Sequence, residues 1–336
     1  MMKVNVEKLK TTLAKVKPGL ANNEIIEQAT HFCFQGGVVR TYNDRVSISC
    51  SLPEGMEVEG AVKAKEFYDM ISKMPSGEME VTEEEWLIKI KHGKIKVEIN
   101  KQSAFLTIID LEKLEKWKAL PEGFEEAIKF CSFSASKDIT IPYLVCIQVK
   151  HDRILSCDRF RATKVFLDKM IRKELLIPAS SAVELAKYKP KEFCVEEDWI
   201  HFRDEEGTVF SCRTMKTKFN NEVVEAFFEV PGGKEIELPD NFHTVVDRVQ
   251  TLVTEEFDQD KTITVKITEG KMSCKGEGSL GHIEETMKVK YKGKDIEFKV
   301  HPNFLIEILS HLKTVLVGEK ALLFKGDNFE HVISLE

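Results

Sequence analysis

Apolar residues at Val6, Leu9, Leu13 and Val16 recur at helical spacing and define one face of a helix. Asn5 is placed to cap it and Pro18-Gly19 to stop it. Strand-type alternation follows over 31–35, a Gly36-Gly37 turn, 38–41 and 46–50. The same order returns twice. In the second pass a short helix is expected over 135–141, before Pro142, with strands over 144–149, 153–157 and 163–167. In the third pass Phe242, Val245, Val249 and Leu252 form a helical stripe after Pro239-Asp240, with strands over 262–267, 271–275 and 284–289.

A second pattern is also tripled. It starts at Val62-Lys63-Ala64-Lys65-Glu66-Phe67, at Ile177-Pro178-Ala179-Ser180-Ser181-Ala182 and at Val300-His301-Pro302-Asn303-Phe304-Leu305. Each copy reads as a strand end, an amphipathic helix and further strand segments: Met79-Glu80-Val81 and 85–90, Phe193-Cys194-Val195 and 198–202, and 320–324. The spacing is that of one ordinary domain. The reading is therefore α+β, three repeated domains over 1–122, 123–232 and 233–336, each of two helix-plus-sheet halves. The joins fall at the breaks Leu120-Pro121-Glu122-Gly123 and Val230-Pro231-Gly232-Gly233.

The helical periodicity also assigns outward faces. Lys8, Thr11 and Lys15 project from the first helix. On the helix after Val62, Phe67, Met70, Ile71 and Met74 face inward, while Lys65, Asp69 and Ser72 face out. Lys187 and Lys189 extend a helix end, and Ser310 and Lys313 face out near the last helix. The plain reading of such lysines is a solvated polar face.

Composition adds little to this picture. Hydrophobic residues make up 42% and charged residues 31%, as expected of a globular chain with real cores. The apolar runs are too short to span a bilayer, and Met1-Met2-Lys3-Val4 has no signal-peptide core, so no membrane association and a cytoplasmic location are expected. The net charge of −7 argues against a protein that grips nucleic acid with its whole surface, but not against one with segregated charge. The acidic runs Glu83-Glu84-Glu85 and Asp204-Glu205-Glu206 read as solvated hairpin turns on an outer surface. Eight cysteines stand singly, several inside apolar alternation, and read as buried packing residues; no metal site or cofactor is expected. Phosphate-loop, nucleophile-elbow and H-E-x-x-H motifs are absent, so the chain reads as no enzyme.

The order of elements, with several local strings, resembles the bacterial DNA sliding clamp, the polymerase III beta subunit family. The strings are Met2-Lys3-Val4-Asn5-Val6 leading into a helix, Asp158-Arg159-Phe160-Arg161-Ala162 where the family has Asp-Gly-His-Arg-Leu, Lys218-Phe219-Asn220 where it has Arg-Phe-Pro, and the 300–309 segment. The resemblance spans essentially the whole chain. There are two departures. Arg159-Phe160 replaces Gly-His, and the chain stops at Ser334-Leu335-Glu336 without a basic Met-Pro-Met-Arg-Leu-type tail. They mark a divergent member, of the kind a phage or mobile element carries.

The resemblance implies a DNA clamp fold that forms a ring as a head-to-tail homodimer. It implies a processivity factor in DNA replication that encircles double-stranded DNA without reading sequence. Lys8, Lys15, Lys65, Lys187, Lys189 and Lys313 would face the DNA. DNA polymerase and clamp loader would dock by short linear peptides in a groove of Tyr143, Cys157, Arg159, Phe160, Arg161, Ala162, Phe219, Asn220, Val332 and Ser334. Read without the resemblance, Phe160 and Phe219 are equally ordinary core residues. The rival reading is a clamp-like protein-binding module, or a decoy, that binds replication factors without encircling DNA.

Overall fold

Strand β1 (Met2–Asn5) ends in the cap of α1 (Val6–Val16): the Asn5 carboxamide accepts from the Lys8 amide at 2.9 Å. Val6, Leu9, Leu13 and Val16 are all buried, as their spacing requires. The computed structural model describes residues 1–104, 114–196, 198–255 and 260–336. The first pass continues through β2 (His31–Gln35), β3 (Val38–Tyr42), β4 (Val46–Ser51), β5 (Gly60–Lys63), α2 (Ala64–Ser72), β6 (Glu78–Glu83), β7 (Leu87–His92) and β8 (Ile95–Asn100). On α2, Phe67 and Ile71 are buried, and Phe67 meets Phe32 and Phe34 edge-on at 6.3 and 5.9 Å.

The second pass holds β9 (Lys118–Ala119), α3 (Phe124–Ser132), β10 (Cys146–Cys157), β11 (Arg161–Pro178), α4 (Ala179–Leu185), β12 (Glu192–Val195), β13 (Trp199–Arg203), β14 (Val209–Arg213) and α5 (Asn221–Phe227). The helix expected over 135–141 is not there; it lies at α3. Buried Phe124, Ala127, Ile128 and Cys131 supply a helical stripe. Over 135–141 side chains take the backbone donors instead. The Ser136 hydroxyl accepts from the Asp138 amide at 3.0 Å and Asp138 from the Thr140 amide at 2.9 Å, which favours turns. The strands expected over 144–149 and 153–157 form the single run β10, with His151 between them at φ 56°.

The third pass holds β15 (Lys234–Glu237), α6 (Phe242–Val249), β16 (Ile263–Thr268), β17 (Lys271–Gly278), β18 (Gly281–Lys288), β19 (Ile296–Val300), α7 (Pro302–Leu309), β20 (Thr314–Val317), β21 (Ala321–Lys325) and β22 (Phe329–Ser334). The sequence pattern missed β20. Gly276 lets the end of α6 lie directly on β17, since a Cβ there would stand 2.7 Å from the Val249 carbonyl oxygen.

The repeats share sheets. One unit, Met1–Lys129 with Leu175–Lys216, carries a four-stranded sheet in the order β1-β6-β7-β8 and an eight-stranded sheet in the order β5-β2-β3-β4-β14-β13-β12-β9. Its central junction pairs β4 with β14, Ser49 opposite Val209 and Val46 opposite Cys212. The other unit, Phe130–Glu174 with Thr217–Glu336, carries a six-stranded sheet, β10-β11-β22-β21-β20-β15, and a four-stranded sheet, β18-β17-β16-β19. Its core gathers Phe242, Val245 and Val249 of α6, Leu305 and Ile308 of α7, and Val265, Met272, Phe324 and Ile333 from the strands. The repeat as read from sequence is expected to divide the chain at 122 and 232, whereas the packing divides it at 129, 174 and 216. The middle repeat gives β10 and most of β11 to one unit and β12, β13 and β14 to the other.

Candidate functional site

The string Asp158-Arg159-Phe160-Arg161 forms a tight turn between β10 and β11. The Asp158 carboxylate accepts from the Phe160 and Arg161 amides at 2.7 and 2.9 Å, and the Asp158 amide donates to the Arg161 carbonyl at 3.0 Å. β11 then pairs antiparallel with β22, Ala162 opposite Val332 and Arg161 opposite Ile333, and the Ser334 amide donates to the Phe160 carbonyl at 2.7 Å. Two groups of nominated groove residues, far apart in sequence, are thereby placed side by side.

Arg161 is the most constrained of them, at 8% exposure. Its guanidinium donates to Asp158 Oδ2 at 3.1 Å, to the Phe133 carbonyl at 2.6 Å and to the Glu307 carboxylate, and it lies 4.2 Å from the centre of the Phe304 ring. Phe160, 40% exposed, sits 6.2 Å from that same ring. Arg159 is exposed, with Asp138 at 3.9 Å. Tyr143 meets Phe219 edge-on at 5.6 Å.

Accessibility separates these residues. Cys157, Ala162, Phe219 and Val332 are buried, so they back the surface. Arg159, Phe160 and Asn220 are exposed, and Tyr143 and Ser334 are half-buried. Burial pushes the Cys157 thiol up to about 12, which removes the thiolate a nucleophile needs. Sequence reasoning did not find Phe133, Phe304 and Glu307, which hold Arg161. It also missed a buried chain behind the turn, in which the Ser134 and Thr163 hydroxyls share a hydrogen bond at 2.6 Å and Thr163 meets His331 Nδ1 at 2.9 Å. His331 is buried together with Val332 and Ile333 of β22, and nothing local in the sequence names its partners.

The nominated lysines differ in environment. Lys8 and Lys65 are exposed and form no ion pair among the described residues. Lys15 pairs with Glu206, so the acidic turn at 204–206 is not purely solvated as expected; it reaches the polar face of α1. Partial burial pulls the Lys15 ammonium down, but the bond to Glu206 outweighs it and leaves the group above its ordinary value. The same bond holds Glu206 below the usual carboxylate range. Lys187 pairs with Glu184 at 2.6 Å and Lys313 with Asp240 at 2.5 Å, while exposed Lys189 stands at φ 48° without an ion pair among the described residues. A set the sequence reading overlooked is Lys169, Arg172 and Lys173 on β11. They flank Met170, which is 62% exposed, and form no ion pair among the described residues.

Among the described residues no group of three or more His, Cys, Asp or Glu is placed to hold a metal ion, and no helix is long and apolar enough to cross a membrane.

No protein-family model and no curated relative matches the chain. Solved structures do. The DNA polymerase III subunit beta from Pseudomonas aeruginosa superposes with TM-score 0.85 at 16% identity, covering 100% of this chain and 99% of that one. The beta subunit from Streptococcus pyogenes gives 0.85 at 18% identity, covering 100% and 99%. A sliding clamp from Pseudomonas aeruginosa bound to griselimycin gives 0.86 at 16% identity, covering 100% and 98%. Over its full length, therefore, this chain has the fold of the DNA polymerase III beta subunit, the DNA sliding clamp.

Proposed function

We propose that the chain works as a sliding clamp: a homodimeric ring that encloses double-stranded DNA without reading sequence and tethers a polymerase through the surface around Phe160. The observation that carries this reading is the clamp fold over the entire chain. Two sheet edges that are open among the described residues support closure. One four-stranded sheet ends at β8, with Ile95 38% exposed, and the other at β18. Free strand edges invite pairing, and joining β8 to β18 head to tail in a closed dimer would leave neither of these two exposed. Lys96 and Glu98 on β8, with Glu284 and Glu285 on β18, offer charges of both signs for register. The clamp acts topologically. Holding DNA requires a closed ring rather than tight contacts, and the tether raises the local concentration of polymerase at the primer end.

The first test is the solution mass. Sedimentation should give twice the 38.4 kDa chain, and the dimer should be retained on nicked circular DNA and lost on linearisation. A persistent monomer that never enters circular DNA would overturn the ring. Griselimycin, bound by the Pseudomonas aeruginosa clamp, is a ready probe of shared ligand chemistry.

One observation favours a second reading, a clamp-like module that binds proteins without enclosing DNA. Of the six nominated lysines, Lys15, Lys187 and Lys313 each carry a carboxylate partner, so half the proposed DNA-facing charge is already compensated within the chain.

A further inference from the structure

The carboxylate partners of Lys15 and its neighbours are not scattered. In the first unit a cleft of about 590 Å³ opens between the polar face of α1, at Thr11, Ala14 and Lys15, with Pro18 just beyond the helix, and the segment 187–191. Four lysines line it: Lys15, Lys187, Lys189 and Lys191. Four carboxylates face them: Glu184, Asp204, Glu205 and Glu206. Three of these four come from the single turn between β13 and β14.

That turn is built to present two of its acids. The Asp204 carboxylate is engaged internally, accepting from the Thr208 amide at 2.7 Å, and the Asp204 amide donates to the Thr208 carbonyl at 3.1 Å. Gly207 takes φ 83°, a left-handed conformation that closes the turn and that a side chain would strain. Glu205 and Glu206 are left projecting, their side chains 78% and 73% exposed. Glu206 takes Lys15, and Glu205 stands 3.7 Å from Lys191. The walls are fixed relative to each other, because the Tyr188 hydroxyl donates to the Lys15 carbonyl at 2.5 Å. Adjacent anions on an exposed turn, each set against a lysine of a walled cleft, have the chemistry of a short run of phosphodiester groups.

We propose that this cleft is a contact for the phosphate backbone of duplex DNA, and that the acidic turn occupies it in place of phosphate until DNA displaces the two glutamates. The proposal rests on the DNA-enclosing reading above and adds its regulation. Exposed lysine–carboxylate pairs are weak, so the displacement costs little. A phosphodiester competes on equal terms because it carries the same charge. The exchange also explains how a chain of net charge −7 can combine lysine-lined contacts with a loose grip. Each contact made by exchange swaps one ion pair for another, so it adds less attraction than a bare lysine would.

The test measures binding of a mixed-sequence linear duplex across a salt titration. Removing both acids, as E205Q with E206Q, should tighten binding at low salt by about two- to fivefold, the value of an exposed pair. It should also steepen the salt dependence by about 1–2 in log–log slope, as freed lysines begin to release counterions. K15Q with K191Q should erase the gain that E205Q/E206Q produces when the four substitutions are combined. The thermal midpoints of all variants should stay together, since the pairs are solvent-exposed. If E205Q/E206Q binds no tighter while K8E still weakens binding, the cleft is no phosphate contact and the inference falls, with the DNA reading intact. If neither native protein nor variants bind duplex at the lowest salt, the DNA reading falls and takes the inference with it.

Discussion

Arg161→Ala offers the sharpest test of how the turn beside the proposed peptide surface is held. The guanidinium is nearly buried and serves four neighbours: Asp158, Glu307, the Phe133 carbonyl and the Phe304 ring. Truncation removes the charged donor from Asp158 Oδ2, whose side chain is 15% exposed and whose Oδ1 keeps the Phe160 and Arg161 amides, and from the Phe133 carbonyl. Breaking a buried ion pair from one side costs about 3–5 kcal/mol. Glu307, at 41% side-chain exposure, regains water and reduces that cost, so about 2–4 kcal/mol is expected. Arg161→Lys keeps the charge but cannot fork to Asp158 and Glu307 together, and should lose about half as much. The assay is urea unfolding by far-ultraviolet circular dichroism, with amide exchange in β22 and α7 as the local readout. Tryptophan emission serves as a control, because Trp86, Trp117 and Trp199 all lie in the first unit. A cost below about 1 kcal/mol for the alanine variant, under the floor for a buried charge partner, would refute the reasoning.

Other consequences can be checked alongside. Phe160→Ala should leave the thermal midpoint nearly unchanged and abolish binding of a Leu/Phe-containing polymerase peptide, whereas Phe219→Ala, at 2% exposure against Tyr143, should cost about 3–5 kcal/mol and is a poor probe of binding. Unchanged peptide affinity in Phe160→Ala, measured by calorimetry, would remove that residue from the groove. Lys8→Glu should shorten retention on nicked circular DNA and leave folding intact, because Lys8 has no ion-pair partner to strand among the described residues; equal retention at low salt would count against it. Acid should destabilise the fold through two histidines. Burial holds His201 down at about 4; burial, then the Arg161 and His311 charges, hold His331 at about 3. Unfolded imidazoles titrate near 6.5, so the unfolded chain binds more protons below that pH and stability falls as pH drops from about 6.5 toward 4. His201→Gln should flatten that fall by about 2–3 kcal/mol in urea titrations at successive pH values, and an unflattened profile would contradict the assignment.

The hydrophobic pattern alone determined most of the local structure. The stripe of Val6, Leu9, Leu13 and Val16 marks α1 and its Asn5 cap, and the alternation over 31–50 marks β2, β3 and β4. These features are legible because burial of one face repeats every few residues, so a short window contains the whole signal. The missed helix α3 had such a signal in Phe124, Ala127, Ile128 and Cys131. The stretch over 135–141 was misread because its Ser136 and Asp138 side chains capture backbone donors, a competition that apolar spacing does not register.

Only the tertiary structure decided which repeats share a sheet. β4 joins β14 and β11 joins β22, so the packing units cut across the repeats. It also decided which charges meet: Arg161 with Glu307, and Lys15 with Glu206. Strand edges pair by backbone groups that every residue carries, and an exposed lysine accepts any carboxylate that comes within reach. Neither choice is written in the residue types. Both are settled by which distant segments the folded chain brings together.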